Sequence, residues 1–198
     1  MGKNNYVKYA TTLAIICLAA SGLLSVVFNL AQPKILYQQS LEEKNSLKEV
    51  FPAATSFEPV EEKDNILYYK ALDKKKEALG FVFKTSKRGY SSDIVTMAGM
   101  DQNGVITYIK ILSQNETPGL GSRITEVVGK ETFWDVLLRR AKITQPPSPW
   151  FTAQFSGKKA DELDRSIDAI TGATISSRAV IESVQEKAKE ILKRAHGR

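Results

Sequence analysis

The chain of 198 residues contains one cysteine and one histidine. Cys17 lies inside an uncharged apolar stretch, and His196 lies in the C-terminal tail. A single cysteine excludes an intrachain disulfide, a thiolate-held iron–sulfur cluster and a multi-cysteine zinc site. A lone tail histidine argues against a Ser-His-Asp hydrolase and against a His-rich metal centre. Charge is not concentrated either. The 28 basic and 22 acidic residues give a formal net charge of +6 without a dense basic stripe, a poor pattern for nucleic-acid binding. There is no internal repeat, no low-complexity tract and no Gly-rich Rossmann fingerprint for a nicotinamide. Demanding chemistry must therefore come from carboxylates, lysines or a bound cofactor.

What is present is a globular composition, 42% hydrophobic and 25% charged, with an apolar appendage at the front. Tyr9 to Phe28 is a run of 20 residues without a charge, the length that crosses the hydrocarbon core of a bilayer. A cleaved signal peptide competes, because Leu18-Ala19-Ala20-Ser21 offers small residues. The apolar stretch continues through Leu23, Leu24, Val26, Val27 and Phe28, however, and outruns a signal core. Cys17 follows Ala14-Ile15-Ile16 and lacks the small residue expected before a lipidated cysteine. The segment is read as an uncleaved anchor. Without Lys3 and Lys8, the 28 basic residues become 26 against 22 acidic, a net +4 for the remainder. Those two lysines precede the span, while Lys34, Glu42, Glu43 and Lys44 follow it, a slight bias consistent with a cytoplasmic N-terminus.

Beyond the anchor, Leu36 to Val50 reads as a polar helix with spaced leucines, ending before Pro52. Ala53 to Asp64 reads as a loop. Strands are expected at Ile66–Leu72, Leu79–Lys84, Asp93–Met100 and Val105–Leu112, with a solvated Lys74-Lys75-Lys76-Glu77 turn after the first. The turn Asp101-Gln102-Asn103-Gly104 joins the last two. Glu131 to Ala141 resembles a helix that would bury Phe133, Trp134, Leu137 and Leu138, and Pro146-Pro147-Ser148-Pro149 breaks the chain after it. Trp150 to Lys159 follows that break, and an exposed loop is the plain reading of Trp150 to Lys158. After Thr174, Ile181, Val184, Ala188, Ile191 and Ala195 fall on one helical face. Strands grouped before helices give an α+β fold: an antiparallel sheet meander with packed helices, preceded by one transmembrane helix.

Four segments carry more glycine, hydroxyl and aromatic character than a scaffold requires: Gly89-Tyr90-Ser91-Ser92, Glu116 to Gly121, Trp150 to Lys158, and Asp168 to Thr174. In the last, Asp168-Ala169-Ile170-Thr171-Gly172-Ala173-Thr174 opens directly into the final helix. Free N–H groups and the helix dipole at such a start attract an anion, and Gly172 and Ala173 permit close approach. The plain alternative is that Thr174 or Ser176 caps the helix. Pro118, Gly119 and Gly121 make a stiff loop that suits a flat ligand or a tight corner.

Together and in this order, these segments resemble the FMN-binding subunits of bacterial membrane redox pumps, specifically the G subunits of Rnf complexes. The resemblance is carried by the N-terminal span, Gly89-Tyr90-Ser91, Glu116-Thr117-Pro118-Gly119-Leu120-Gly121, Trp150 through Gln154-Phe155, and Asp168 to Thr174. It implies FMN joined through its phosphate to Thr174 by a flavin transferase that reads Asp168, Gly172, Ala173 and Thr174. It further implies cofactor contacts from Gly89, Tyr90, Ser91, Glu116, Thr117, Gly119, Leu120, Thr171, Gly172 and Ala173, with Lys158 offsetting phosphate charge. Gln114 and Asn115 stand where related loops often carry His and Lys, so no proton-transfer role is assigned there. No catalytic residue and no metal are expected. The flavin supplies the electron chemistry while the protein sets its position.

The implied organisation is a cytoplasmic N-terminus (1–8), a transmembrane anchor (9–30), a helical connector (31–64) and an extracytoplasmic FMN-binding domain (65–198). The implied role is an electron-carrier subunit of an ion-translocating ferredoxin:NAD oxidoreductase in the bacterial inner membrane. Its partners would be other membrane subunits of the complex, the flavin transferase and the lipid bilayer, with no nucleic acid. The C subunit of the sodium-translocating NADH:quinone reductase, generally longer, is the alternative within the same chemistry. A cofactor-free tethered assembly module is the alternative outside it.

Overall fold

The computed structural model describes residues 3–62, 65–127 and 149–196. The expected helix at 131–141 and the proline run at 146–148 lie outside them. The chain divides into two compact units, Met1–Glu43 and Lys44–Arg198.

The first unit lies on helix α1 (Lys3–Val50), which continues through Pro33 rather than breaking between the anchor and Leu36. It is the one helix among the described residues long and apolar enough to cross a membrane. Leu13, Ile15, Leu18, Leu23, Leu24 and Leu30 are all exposed on it. Its hydroxyls return to their own helix: Thr11 and Thr12 donate to the Lys8 carbonyl at 2.9 and 2.8 Å, and Ser21 to that of Leu18 at 3.2 Å. No side-chain hydroxyl of that set then needs water inside an apolar medium.

The second unit is built on an antiparallel sheet in the sequential order β1–β5: Ser56–Glu62, Asn65–Leu72, Ala78–Arg88, Asp93–Asp101 and Ile106–Ser113. The expected meander is therefore present, with one strand more. The segment read as a loop contains β1, paired from Ser56↔Leu72 to Glu62↔Asn65 with a register shift between Val60 and Glu61. Pro59 and three glutamates conceal it, and an edge strand is where both are tolerated. In the Asp101–Gly104 turn, Asp101 Oδ1 accepts the N–H groups of Asn103 and Val105 at 2.9 and 2.8 Å, and Gly104 takes φ +80°.

Alternation along the strands separates two cores. One face carries Phe81, Phe83, Ile94, Ala98, Met100, Ile106 and Ile109 against helix α4 (Thr174–His196), through Val180, Ile181, Val184, Ala188 and Ile191. Ala195, expected on the buried face, is exposed, while Ser176, Ser177 and Ser183 are buried there. The other face carries Ala71, Val82 and Met97 against Leu47, Val50 and Phe51 at the end of α1.

That second contact depends on a missing side chain. The Thr107 hydroxyl donates to the Val50 carbonyl at 2.6 Å, and a Cβ on Gly99 would lie 2.5 Å from both of those oxygens. Gly99→Ala is expected to destabilise the domain by about 2 kcal/mol, the overpacking exceeding the gain from a stiffer unfolded chain. In a thermal melt of the detergent-solubilised chain this corresponds to a drop of roughly 5 °C. An unchanged melting temperature would mean that the end of α1 can lift from the sheet without cost.

The segment Trp150 to Lys159 is not an exposed loop. It holds helix α2 (Trp150–Ala153), and Phe151 and Phe155 are buried with their rings edge to face at 5.5 Å. Its end closes the free edge of β5: Ile106 N–H donates to the Lys158 carbonyl and Gly157 N–H to that of Ile106, each at 2.8 Å. Helix α3 (Leu163–Ser166) then leads into the turn before α4.

Candidate functional site

Two turns with the same chemistry face each other beside the start of α4. In Thr117-Pro118-Gly119-Leu120, Leu120 N–H donates to the Thr117 carbonyl at 3.1 Å and Gly119 has φ +75°. In Ile170-Thr171-Gly172-Ala173, Ala173 N–H donates to the Ile170 carbonyl at 2.9 Å and Gly172 has φ +84°. Both are type II patterns, which need a residue free to take positive φ at the third position. The second turn is held from outside by two side chains. Gln154 pairs with the backbone of Asp168, accepting its N–H at 2.9 Å and donating to its carbonyl at 3.3 Å. Arg123 donates to the Thr171 carbonyl at 2.9 Å. The Asp168 side chain remains exposed.

Between the turns lies a cavity of about 270 Å3. Tyr90, Leu120 and Gly121 form one wall and Gly172 to Ser176 the other. Tyr90, Leu120 and Ile175 are 67%, 50% and 56% exposed, an apolar collar unusual around a small polar turn. Thr174 is the first residue of α4, so it does not cap the helix. Ala173, which precedes it, has no side-chain acceptor. Among the described residues, the N–H groups of Thr174, Ile175 and Ser176 therefore have neither a helical carbonyl nor a side-chain cap. Ser176 does not cap the helix either, since its hydroxyl donates to Glu116 at 2.6 Å. Ser177 is buried and accepts the Ile170 N–H at 3.1 Å. Of residues 171, 174, 176 and 177, Thr174 alone is at once exposed, on the helix and in the cavity wall.

Glu116 sits behind this cavity and is 6% exposed. Its Oε1 accepts the N–H groups of Ser91 and Ser92 at 3.0 and 2.9 Å and the Ser92 hydroxyl at 3.2 Å. Its Oε2 accepts the Tyr90 N–H at 3.1 Å and the Ser176 hydroxyl. Burial is the largest single influence and would raise the carboxyl pKa. The hydrogen bonds from Ser176, Ser92, Ser91 and Tyr90 together outweigh it and hold the group below its ordinary value. Two glycines make the arrangement possible. A Cβ on Gly89 would lie 2.7 Å from Oε1, and one on Gly121 would collide with Oε2 and lie 2.7 Å from the Ser176 hydroxyl.

The structure thus brings Tyr90, Leu120, Gly172, Ala173 and Thr174 to one cavity, with Gly119 in its rim turn. Gly89 and Glu116 lie behind it. Ser91 and Thr117 join their loops hydroxyl to hydroxyl at 3.1 Å. Thr171 is exposed, and its carbonyl is taken by Arg123. Lys158 is not brought there. Its carbonyl pairs with Ile106 at the first residue of β5, whereas Glu116 follows the last, a strand length of roughly 25 Å away. The hydrogen bond that closes the β5 edge fixes the lysine at the wrong end of the sheet for the assigned phosphate contact. Sequence reasoning placed Gly121 in the stiff loop without counting it among the contacts, and missed Arg123, Ile175 and the tie from Ser176 to Glu116. Arg123 and Ile175 carry no local signal that could have found them.

An apolar collar, a cleft between turns and a free hydroxyl at an uncapped helix start fit a flat cofactor that ends in a phosphate. Residues 89–189 match the FMN-binding domain family, and residues 1–50 match the RnfG N-terminal region. An apolar helix followed by an α+β FMN-binding domain is thus the class of protein that fold and site define. The chain belongs to the RnfG family, the G subunits of ion-translocating oxidoreductase complexes.

Among its relatives, the G subunit of the ion-translocating oxidoreductase complex of Methanosarcina acetivorans is 29% identical, over 89% of this chain and 89% of its own. The G subunit of the proton-translocating ferredoxin:NAD(+) oxidoreductase complex of Clostridium ljungdahlii is 24% identical, over 96% of this chain and 93% of its own. The corresponding ion-translocating oxidoreductase protein of Escherichia coli (strain K12) is 27% identical, over 90% and 87%. The solved structure of NqrC from Shewanella oneidensis covers 73% of this chain and 74% of its own, with a TM-score of 0.44 at 15% identity.

Proposed function

We propose that this protein is a membrane-anchored electron-carrier subunit whose FMN is joined through a phosphoester to Thr174. The complex it serves would be an ion-translocating ferredoxin:NAD oxidoreductase. Membership of the RnfG family and the apolar helix α1 support the anchored subunit. The observation that supports the covalent link is Thr174 itself, exposed as the first residue of α4 and lining the cavity. Bound there, the flavin supplies reversible electron transfer. The protein supplies the rest. The Thr174 oxygen would hold the phosphate, the N–H groups of the first helical turn would offset its charge, and Tyr90, Leu120 and Ile175 would offer apolar surface to the ring.

Asp168, exposed while its backbone is clamped by Gln154, is available to a flavin transferase before the link forms. The charge pattern around α1 supports an extracytoplasmic domain, with Lys3 and Lys8 inside. Intact mass of chain produced with an active transferase tests the reading. The expected gain is one FMN less one water, on the peptide that contains Thr174. An unmodified mass, beside a second substrate that the same transferase does modify, would overturn it.

A further inference from the structure

The resemblance assigns Glu116 to the cofactor, but its carboxylate has no capacity left for one. Two carboxylate oxygens offer about four acceptor directions. Five donors already fill them: three backbone N–H groups and two hydroxyls, at 2.6–3.2 Å. The group is 6% exposed, and glycines 89 and 121 pack directly against its two oxygens. What it joins is more telling than what it lacks. Its donors come from two separate segments, the 90–92 loop and the first turn of α4. Tyr90 from the first segment and Ser176 from the second stand on opposite walls of the cavity.

We propose that Glu116 is a positioning residue that locks the Tyr90 wall to the start of α4, fixing the cavity beside Thr174 and placing one uncontacted negative charge behind it. The proposal rests on reading Thr174 as the flavin attachment site, and it replaces a contact role for Glu116 with an indirect one. Two properties follow, and they separate by substitution. Span sets how well Thr174 and the collar are presented to the transferase. Charge sets how readily the attached flavin accepts electrons, because a fixed anion opposes adding negative charge nearby.

Glu116→Asp keeps the charge but is one methylene short, so it can serve one wall and not both. Glu116→Gln keeps the length but loses the charge, and turns an NH2 group toward donors that need an acceptor. Ser176→Ala removes the tie to α4 and leaves the carboxylate on the loop.

The experiment uses the detergent-solubilised full chain in two arms. In the flavin-free arm, amide exchange is followed at Tyr90, Ser91 and Ser92 and in the first turn of α4. Glu116→Gln is expected to speed exchange of the loop amides at least tenfold, and Ser176→Ala to speed only the α4 turn. In the flavin-loaded arm, labelling rate and flavin midpoint potential are measured, with melting temperature as a control for general damage. Glu116→Asp is expected to label several-fold more slowly at an unchanged potential, and Glu116→Gln to shift the potential positive.

Native exchange and potential in Glu116→Gln would overturn the proposal. So would native labelling in both Glu116→Asp and Ser176→Ala. If Glu116→Gln does not fold, the Ser176→Ala and Glu116→Asp results decide alone. A native chain that takes no flavin, beside an active transferase, sinks the attachment reading. The exchange arm still decides whether Glu116 couples the two walls.

Discussion

Replacing Thr174 by alanine is expected to abolish covalent flavin entirely, leaving no fluorescent band on a denaturing gel. On the proposed linkage, alanine removes the oxygen that forms the ester. Serine keeps that atom on a more mobile side chain, so Thr174→Ser is expected to retain the band at reduced intensity. The neighbouring hydroxyls are poor substitutes for physical reasons. Ser176 and Ser177 are buried and hydrogen-bonded, the first to Glu116 and the second to the Ile170 N–H. Thr171 is exposed but lies in the turn before the helix, away from its unpaired N–H groups. Thr171→Ala is therefore expected to keep the label. Thr174 is exposed, so its loss should move stability by less than about 0.5 kcal/mol. A melting temperature near native accompanies the dark band if chemistry alone was removed. A bright band in Thr174→Ala would move the attachment elsewhere.

Removing the Glu116 side chain is expected to have the largest effect on stability. Glu116→Ala strands three N–H groups and two hydroxyls in a buried site, a loss on the order of 3 kcal/mol. Ser176→Ala, which removes one donor, should lose about 1 kcal/mol. The pH dependence distinguishes the charge from the packing. The folded chain holds the Glu116 carboxyl below its ordinary value of 4.5, so the folded state binds its proton less readily than the unfolded state. Its contribution is complete above that ordinary value and is lost as pH falls through the lower, folded value. The stability gap between native and Glu116→Ala chains should therefore be constant near neutrality and narrow on acidification below about pH 4.5. Glu190 is also held low, by Lys187 first and then Arg194 against some burial, but it is present in both chains and cancels from the difference. A gap that stays constant into acid would show that the carboxylate charge contributes nothing.

Much of the fold was legible because its signals are local. Alternation marked four strands, and Asp101 to Gly104 marked the turn between two of them. The apolar run from Tyr9 to Phe28 marked the helix that can span a membrane. β1 was not legible, because Pro59 and its glutamates are acceptable only on an edge, and a strand becomes an edge only once Asn65–Leu72 lies beside it. The continuity of α1 through Pro33 was hidden for a related reason: a proline lowers helix propensity without forbidding the helix. The buried serines of α4 escaped because apolar spacing tests for hydrophobic side chains, whereas their burial depends on partners such as Glu116 and Ile170.

By itself, the sequence determined the anchor, the meander and the Asp168 to Thr174 run that opens the last helix. These follow from hydrophobic length, side-chain period and the dihedral freedom of glycine, all properties of neighbouring residues. The tertiary structure alone decided that Thr174 lines the cavity, that Lys158 stands at the far end of β5, and that the 90–92 loop and the first turn of α4 meet on the Glu116 carboxylate. Each of those depends on segments that meet only after folding, as Glu116 and Ser176 do across 60 residues. A local pattern cannot specify a hydrogen bond whose other half is fixed by packing.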